Sequence, residues 1–437
     1  MSHSHVSERG MPHPKPARFF YGWVIVGLVF LNIACSFGLW FSFSVFFVAI
    51  LEEFGRGRGV TAGIFAVGTF IFGLTSLLIG RIVDRIGPSR VLALGSLVLA
   101  LSFVLISQST RFWQLYLFFG LFTATGSSAL GWVPHATILS AWFVKKRGTF
   151  LGIAYAGMGI GILTLSPLIQ YLISLWGWRM TYLFLAGVIA LVLFPLNFFF
   201  QIDTPAQKGT YPDNQPPERR AERKPVPAPR QRIHGTPRLQ DWTLREALRG
   251  RQLWLLFLAN IFIPLGVFPV STHQIAYVVD LGYDKLLAAS IFGLLGIWST
   301  IGRILFGIIS DRIGRVNAIT LSFITSAIGI VLLLLLRDNT QVWLLYIYAF
   351  FFGLGFGARG PILSAIAADL FQGSNFAVIF GFISLGWGIG GALGPWFAGF
   401  VYDLMGSYTL AFLAAILFLG CSCLCFWLAV PRRARQG

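Results

Sequence analysis

Acidic residues are scarce in this chain. Sixteen Asp and Glu are spread over 437 positions, and charged residues of both signs make up only 11%. A soluble domain carries roughly a quarter, so an ordinary water-facing surface is excluded for most of the sequence. Cysteines number four (Cys35, Cys421, Cys423 and Cys425), all inside apolar runs. Their spacing supports neither a disulfide framework nor a zinc site. No P-loop, HExxH or Cys/His cluster occurs; an enzyme, a cofactor, a metal centre or an ATP-driven pump is therefore not expected. The first 18 residues, with His3, His5 and His13, lack the apolar core of a cleavable signal peptide and read as a polar tail.

Apolar length is what the chain has in quantity: 56% of it is hydrophobic, with 43 Phe and 49 Gly. A helix needs about 20 apolar residues to cross a bilayer. Six such stretches fall in 19–200 and six in 252–430, so the expected fold is an all-α membrane protein of twelve transmembrane helices in two six-helix bundles. The stretch 201–251 is different. It holds eight of the 20 prolines and eleven Lys/Arg, and reads as a linker. Residues 241–249 fit a short interfacial helix capped by Asp241 or simply a polar approach to the seventh span. Tails of 1–18 and 431–437 complete the layout.

The net charge of +17 does not follow a nucleic-acid pattern, because the basic residues sit in short clusters between apolar stretches. Placing both termini in the cytoplasm puts 25 of the 33 Lys and Arg on cytoplasmic segments and six on external loops. That asymmetry orients the chain in a plasma or inner membrane with cytoplasmic termini. The remaining two, Arg303 and Arg359, fall inside spans.

The halves also resemble each other. Residues 80–87 (GRIVDRIG) match 307–314 (GIISDRIG) at an offset of 227, which also carries Pro134 onto Pro361. At an offset of 229, Gly152, Gly157, Gly159 and Gly161 fall on Gly381, Gly386, Gly388 and Gly390. Two parallel repeats place a substrate site at their interface, near the bilayer midplane.

The repeated G-x-x-x-D-R-x-G pattern resembles the loop signature of the major facilitator superfamily. Within it the chain is most similar to the monocarboxylate transporter and oxalate/formate exchanger branch. That likeness rests on Tyr21-Gly22-Trp23, Trp142 to Gly148, His273, Asp280 with Gly282, and Arg303 followed by Gly307. The resemblance implies a gating role for Gly80, Asp84, Arg85, Gly307, Asp311 and Arg312, and for Arg303 the role of substrate-carboxylate ligand. The chain departs from the branch in three places. Gly302 stands where animal monocarboxylate carriers have Asp, helix one has no Lys, and helix eleven has none either. Coupling through an adjacent Asp–Arg pair and dicarboxylate exchange through a helix-eleven Lys are therefore not implied.

All 16 acids lie in tails, loops or span ends, so neither in-span arginine has a carboxylate deep in a helix to neutralise it. A cation in a span faces a cavity or a partner, and a guanidinium matches a carboxylate. Arg303 and Arg359 are candidate substrate ligands, with structural pairing to carbonyls the alternative. Asn32, Trp132, His135, Tyr155 and Trp387 are further candidates to line the cavity; each has an ordinary packing reading beside the functional one. Asp280 and His273 are the candidate proton carriers.

The expected function is a secondary transporter working by alternating access. It would carry a small organic anion, most simply a monocarboxylate, by proton symport or anion exchange, and would function as a monomer. The other readings are an inorganic or cyanate-like anion carrier and a multidrug efflux carrier. The drug/proton-antiporter signature G-x-x-x-G-P-x-x-G-G is absent from helix five.

Overall fold

The computed structural model describes residues 20–143, 147–215, 242–371 and 376–430, with the side chains of 77, 147–149, 311, 361, 376 and 377 left out. Among the described residues every regular element is a helix, as a lipid-embedded backbone requires, because a helix satisfies its polar groups internally. The first half holds α1 (Gly22–Phe41), α2 (Phe43–Phe54), α3 (Arg58–Ile86) and α4 (Pro88–Ser107). A broken rod follows: α5 (Phe112–Leu117), a π-turn, α6 (Ala124–Ala129) and α7 (Trp132–Trp142). Then come α8 (Arg147–Tyr155) and α9 (Gly157–Val188), which Gly177 breaks at φ 75°. The second half runs α10 (Leu244–Arg249), α11 (Arg251–Asp280), α12 (Lys285–Ile313), α13 (Arg315–Leu334), α14 (Val342–Leu370), α15 (Phe376–Met405) and α16 (Thr409–Ala429).

Ten helical stretches among the described residues are long and apolar enough to span a membrane; one of them, 150–200, is 51 residues long. That length, with its break at Gly177, fits two crossings, and the broken rod fits another. Large apolar side chains such as Leu94, Ile304, Leu404 and Leu417 point outward and are more than half exposed, as a lipid-facing belt would be. Trp23, Trp113, Trp176 and Trp343 are exposed near helix ends, where aromatic rings anchor at the interface.

The repeat has a backbone counterpart. The last glycine of each signature, Gly87 and Gly314, adopts φ 88° and 85° with ψ near 150°. Only glycine adopts that region at low cost. Each ends one helix and turns the chain straight into the next, at Pro88 and at Arg315. The Ser89 amide donates to Asp203 at 2.7 Å, so the carboxylate at the N-terminus of α4 comes from beyond the sixth span and not from Asp84. The short helix α10 is capped by Thr243 in a reciprocal box with Glu246; Asp241 lies outside the described residues.

The two halves meet through α3 against α15, α9 against α12 and α2 against α11. Residues 201–215 and 242–250, on either side of the expected linker, mark one face, called here the linker face. The turns at 55–57, 281–284 and 406–408 lie at the opposite face.

Candidate functional site between the halves

Arg303 sits on α12, where that helix packs on α9. Its Nη1 donates to the Tyr155 carbonyl at 3.4 Å and its Nη2 lies 3.7 Å from the Met158 sulfur. Both partners belong to the other half, so the guanidinium bridges the interface. Among the described residues no carboxylate is within ion-pair distance of it.

Tyr155 and Trp132 form the wall beside it. Their rings are 4.6 Å apart, and Trp132 meets Phe37 of α1 at 4.5 Å. One turn towards the opposite face lies a cavity of about 20 Å³, bounded by Phe41, Ile162, Ser271, Phe292, Ser299 and Phe356. It has room for a water molecule. Trp387 stands on α15 against Phe268, which in turn meets Phe41 across the interface.

The other expected residues lie elsewhere. Asn32 exchanges two 2.8 Å hydrogen bonds with Asn197, and Asn197 donates to Ser96 at 2.9 Å. That triad ties α1, α4 and the sixth span inside the first half. His135 is buried, with Nδ1 donating to the Gly131 carbonyl at 2.7 Å and Nε2 without a partner among the described residues. Arg359 is 2% exposed and turns towards α13, donating to Ser326 Oγ at 2.5 Å and stacking on Phe323. Its Nε and Nη1 have no partner among the described residues.

The absence of an acid before Arg303 has a steric cause. A Cβ on Gly302 would stand 2.1 Å from the Leu354 carbonyl oxygen on α14. No side chain fits there while α12 and α14 pack this closely.

The opposite face is fastened between the halves. Arg58 Nη2 donates to Asp280 Oδ1 at 2.8 Å and its Nη1 to the Tyr408 hydroxyl at 2.9 Å, while the guanidinium stacks 3.9 Å from the Tyr402 ring. Lys285 and Glu52 form a second cross-half pair at 2.6 Å. Beneath them His273 is buried. Its Nε2 lies 2.9 Å from the Pro395 carbonyl, which can only accept, so Nε2 carries the hydrogen and Nδ1 accepts from Tyr408 at 3.0 Å.

Among the described residues the linker face shows no such ion pair between the halves. Asp84, Arg85 and Arg312 are exposed and without ion pairs among the described residues, and Gly80 and Gly307 face open space. The Asp311 side chain is outside the described set. Arg58, Tyr408 and Asp403 were missed by sequence reasoning, although Arg58 falls on Lys285 at the repeat offset of 227.

The family model described as Major Facilitator Superfamily matches residues 29–338 and 280–437. The chain belongs to the major facilitator superfamily. This facilitator is 26% identical over 400 residues to rat monocarboxylate transporter 13 (Rattus norvegicus), covering 91% of this chain and 86% of that one. It is also 26% identical over 415 residues to human monocarboxylate transporter 2, covering 92% and 84%. Among solved structures it is similar to a bacterial homolog of the human lysosomal transporter Spinster, in an inward-facing, unoccupied conformation. That match has a TM-score of 0.70 at 16% identity, with 94% and 97% of the two chains covered. The protein is thus a multi-pass membrane transporter of a small molecule, not an enzyme.

Proposed function

We propose that this facilitator carries a small organic anion, a monocarboxylate, and that Arg303 receives the carboxylate. The observation that carries the reading is a guanidinium held across the interface of the two halves with no acidic partner among the described residues. A cation so placed is costly unless an anion joins it. The cargo's own carboxylate supplies that anion and bonds two N–H groups at once. The relatives named as monocarboxylate transporters support the same class. The wall of Tyr155, Trp132 and Phe37 offers an apolar surface to the rest of the cargo. The cavity beyond Arg303 is too small for an organic anion as it stands, so the cargo binds on its linker side.

The positive-inside asymmetry makes the linker face cytoplasmic. The fastened opposite face is then the external gate, closed here, and the signature residues Asp84, Arg85, Asp311 and Arg312 engage when the cytoplasmic side closes. Asp280 is the proton carrier with a mechanical consequence, because protonating it removes its ion pair with Arg58. His273 would report through Tyr408. Symport through Asp280 predicts that Asp280→Asn uncouples uptake from a proton gradient; exchange predicts no such change.

The test is uptake in proteoliposomes. Arg303→Ala and Arg303→Lys are each expected to lower carboxylate uptake by about a hundredfold or more, since Lys lacks the fork geometry. Uptake unchanged in both removes the proposal. An inorganic anion is the second reading, favoured only by the same lone cation; nitrate uptake with no carboxylate uptake would select it.

A further inference from the structure

The two cross-half ion pairs at the opposite face are alike in placement. The offset of 227 carries Arg58 onto Lys285. Each cation opens the second span of its own half, at the start of α3 or α12, and each pairs with an acid near the end of the other half's first span, Asp280 of α11 or Glu52 of α2. The acids correspond less closely: the same offset carries Glu53 onto Asp280, and it is the neighbouring Glu52 that pairs with Lys285 while Glu53 pairs with Arg179 of its own half.

The two pairs are not equal. The Lys285 and Glu52 side chains are 40% and 57% exposed, against 16% and 36% for Arg58 and Asp280. An exposed Lys–Glu pair is screened by solvent and contributes little. Arg58, by contrast, lies between the Tyr402 and Tyr408 rings at 3.9 and 5.3 Å and bonds the Tyr408 hydroxyl as well as Asp280. Cation–π and charge-assisted contacts strengthen as water is excluded. The same corner has a third tie. The backbone N–H groups of Arg58 and Gly59 donate to Asp403 of α15 at 2.6 and 2.8 Å, so a carboxylate from the second half caps the first turn of α3.

We propose that this gate is a double latch of unequal strength, in which Arg58 is the positioning residue that sets how often the opposite face opens, and Lys285 is its weak counterpart. Arg58 touches no cargo in this account; it acts by holding α3 to α11 and α15. Opening must part Arg58 from Asp280, Tyr402 and Tyr408 together, whereas Lys285 parts from Glu52 into water at little cost. The inference does not depend on what is carried, so its failure leaves the Arg303 proposal untouched, and the reverse also holds.

A thiol reporter beneath the latch tests it. Ser44 is 3% exposed and donates to the Ser271 carbonyl across the interface at 2.9 Å. Ser44→Cys is placed in a chain whose four native cysteines are replaced, and maleimide labelling is timed in detergent. Arg58→Ala and Asp280→Asn are each expected to raise the labelling rate about tenfold, Lys285→Ala by less than about twofold, and Arg58→Lys to fall between, in proportion to the population of the open state. A second reporter, Ser322→Cys, is buried in α13 within the second half and should not change. Labelling of Ser44→Cys at the parent rate in both Arg58→Ala and Asp280→Asn overturns the proposal. So does an equal rise in Lys285→Ala, or a parallel rise at Ser322→Cys, which would mean general loosening. Should Arg58→Ala fail to fold, Asp280→Asn and Arg58→Lys decide it alone.

Discussion

Arg303 and Arg359 stand on neighbouring helices, yet their guanidinium groups meet different surroundings. Arg303 reaches Tyr155 and Met158 of the other half, while Arg359 is packed under Ser326 and Phe323 inside its own. That both were unusual was legible in the sequence, because a lone cation among apolar residues stands out. Which way each side chain points was not. A helix apolar on every face has no polar stripe to reveal its orientation, and the same gap misplaced Asn32. Its partner Asn197 lies 165 residues away, and nothing local marks the pair. The triad of Asn32, Asn197 and Ser96 is fully bonded and lies within one half, so it belongs to stability. Asn197→Ala is expected to lower the unfolding free energy of the purified protein by about 1 kcal/mol, in the range of buried side-chain bonds between membrane helices. Thermal unfolding measures this, and an unchanged midpoint would mean that the triad contributes nothing.

The α9–α12 contact shows what repeated glycines do at the scale of elements. Gly157 and Gly161 pack against the backbone of α1 inside their own half, and Gly386 and Gly390 pack likewise against α11. Gly159 is different. A Cβ there would stand 2.3 Å from the Gly296 carbonyl oxygen, and one on Gly296 would stand 2.5 Å from that of Gly159. The two helices therefore touch backbone to backbone across the interface, beside Arg303. The glycine pattern at the offset of 229 was visible in the sequence, but its division into contacts within and between halves was not, since residues two apart in a helix face different neighbours. Gly159→Val is expected to lower uptake at least about tenfold by forcing these helices apart, while Gly152→Ala, which meets open space, stays within about twofold. Proteoliposome uptake distinguishes them; equal effects at both positions would contradict this account of the contact.

The whole molecule repeats one plan in two halves, and that much was legible because apolar stretches and the signature are features of composition and spacing; most of the expected linker, 216–241, lies outside the described residues. The state of the gates was not. A carrier that alternates uses one sequence for both arrangements, so the sequence alone does not say which face is fastened. The structure fastens the face opposite the linker, through Arg58, Asp403 and Lys285, and shows no ion pair between the halves at the linker face among the described residues. In that arrangement Arg303 is the cation at the interface that awaits a negative charge. The most direct test is ligand-dependent thermal stability of the purified protein and of Arg303→Ala, screened with mono-, di- and tricarboxylates, nitrate and cationic drugs. A ligand that binds only the folded state raises the midpoint. The expected result is a rise with one or more monocarboxylates in the parent protein, absent in Arg303→Ala. The same rise persisting in Arg303→Ala, or a rise with cationic drugs alone, would contradict it.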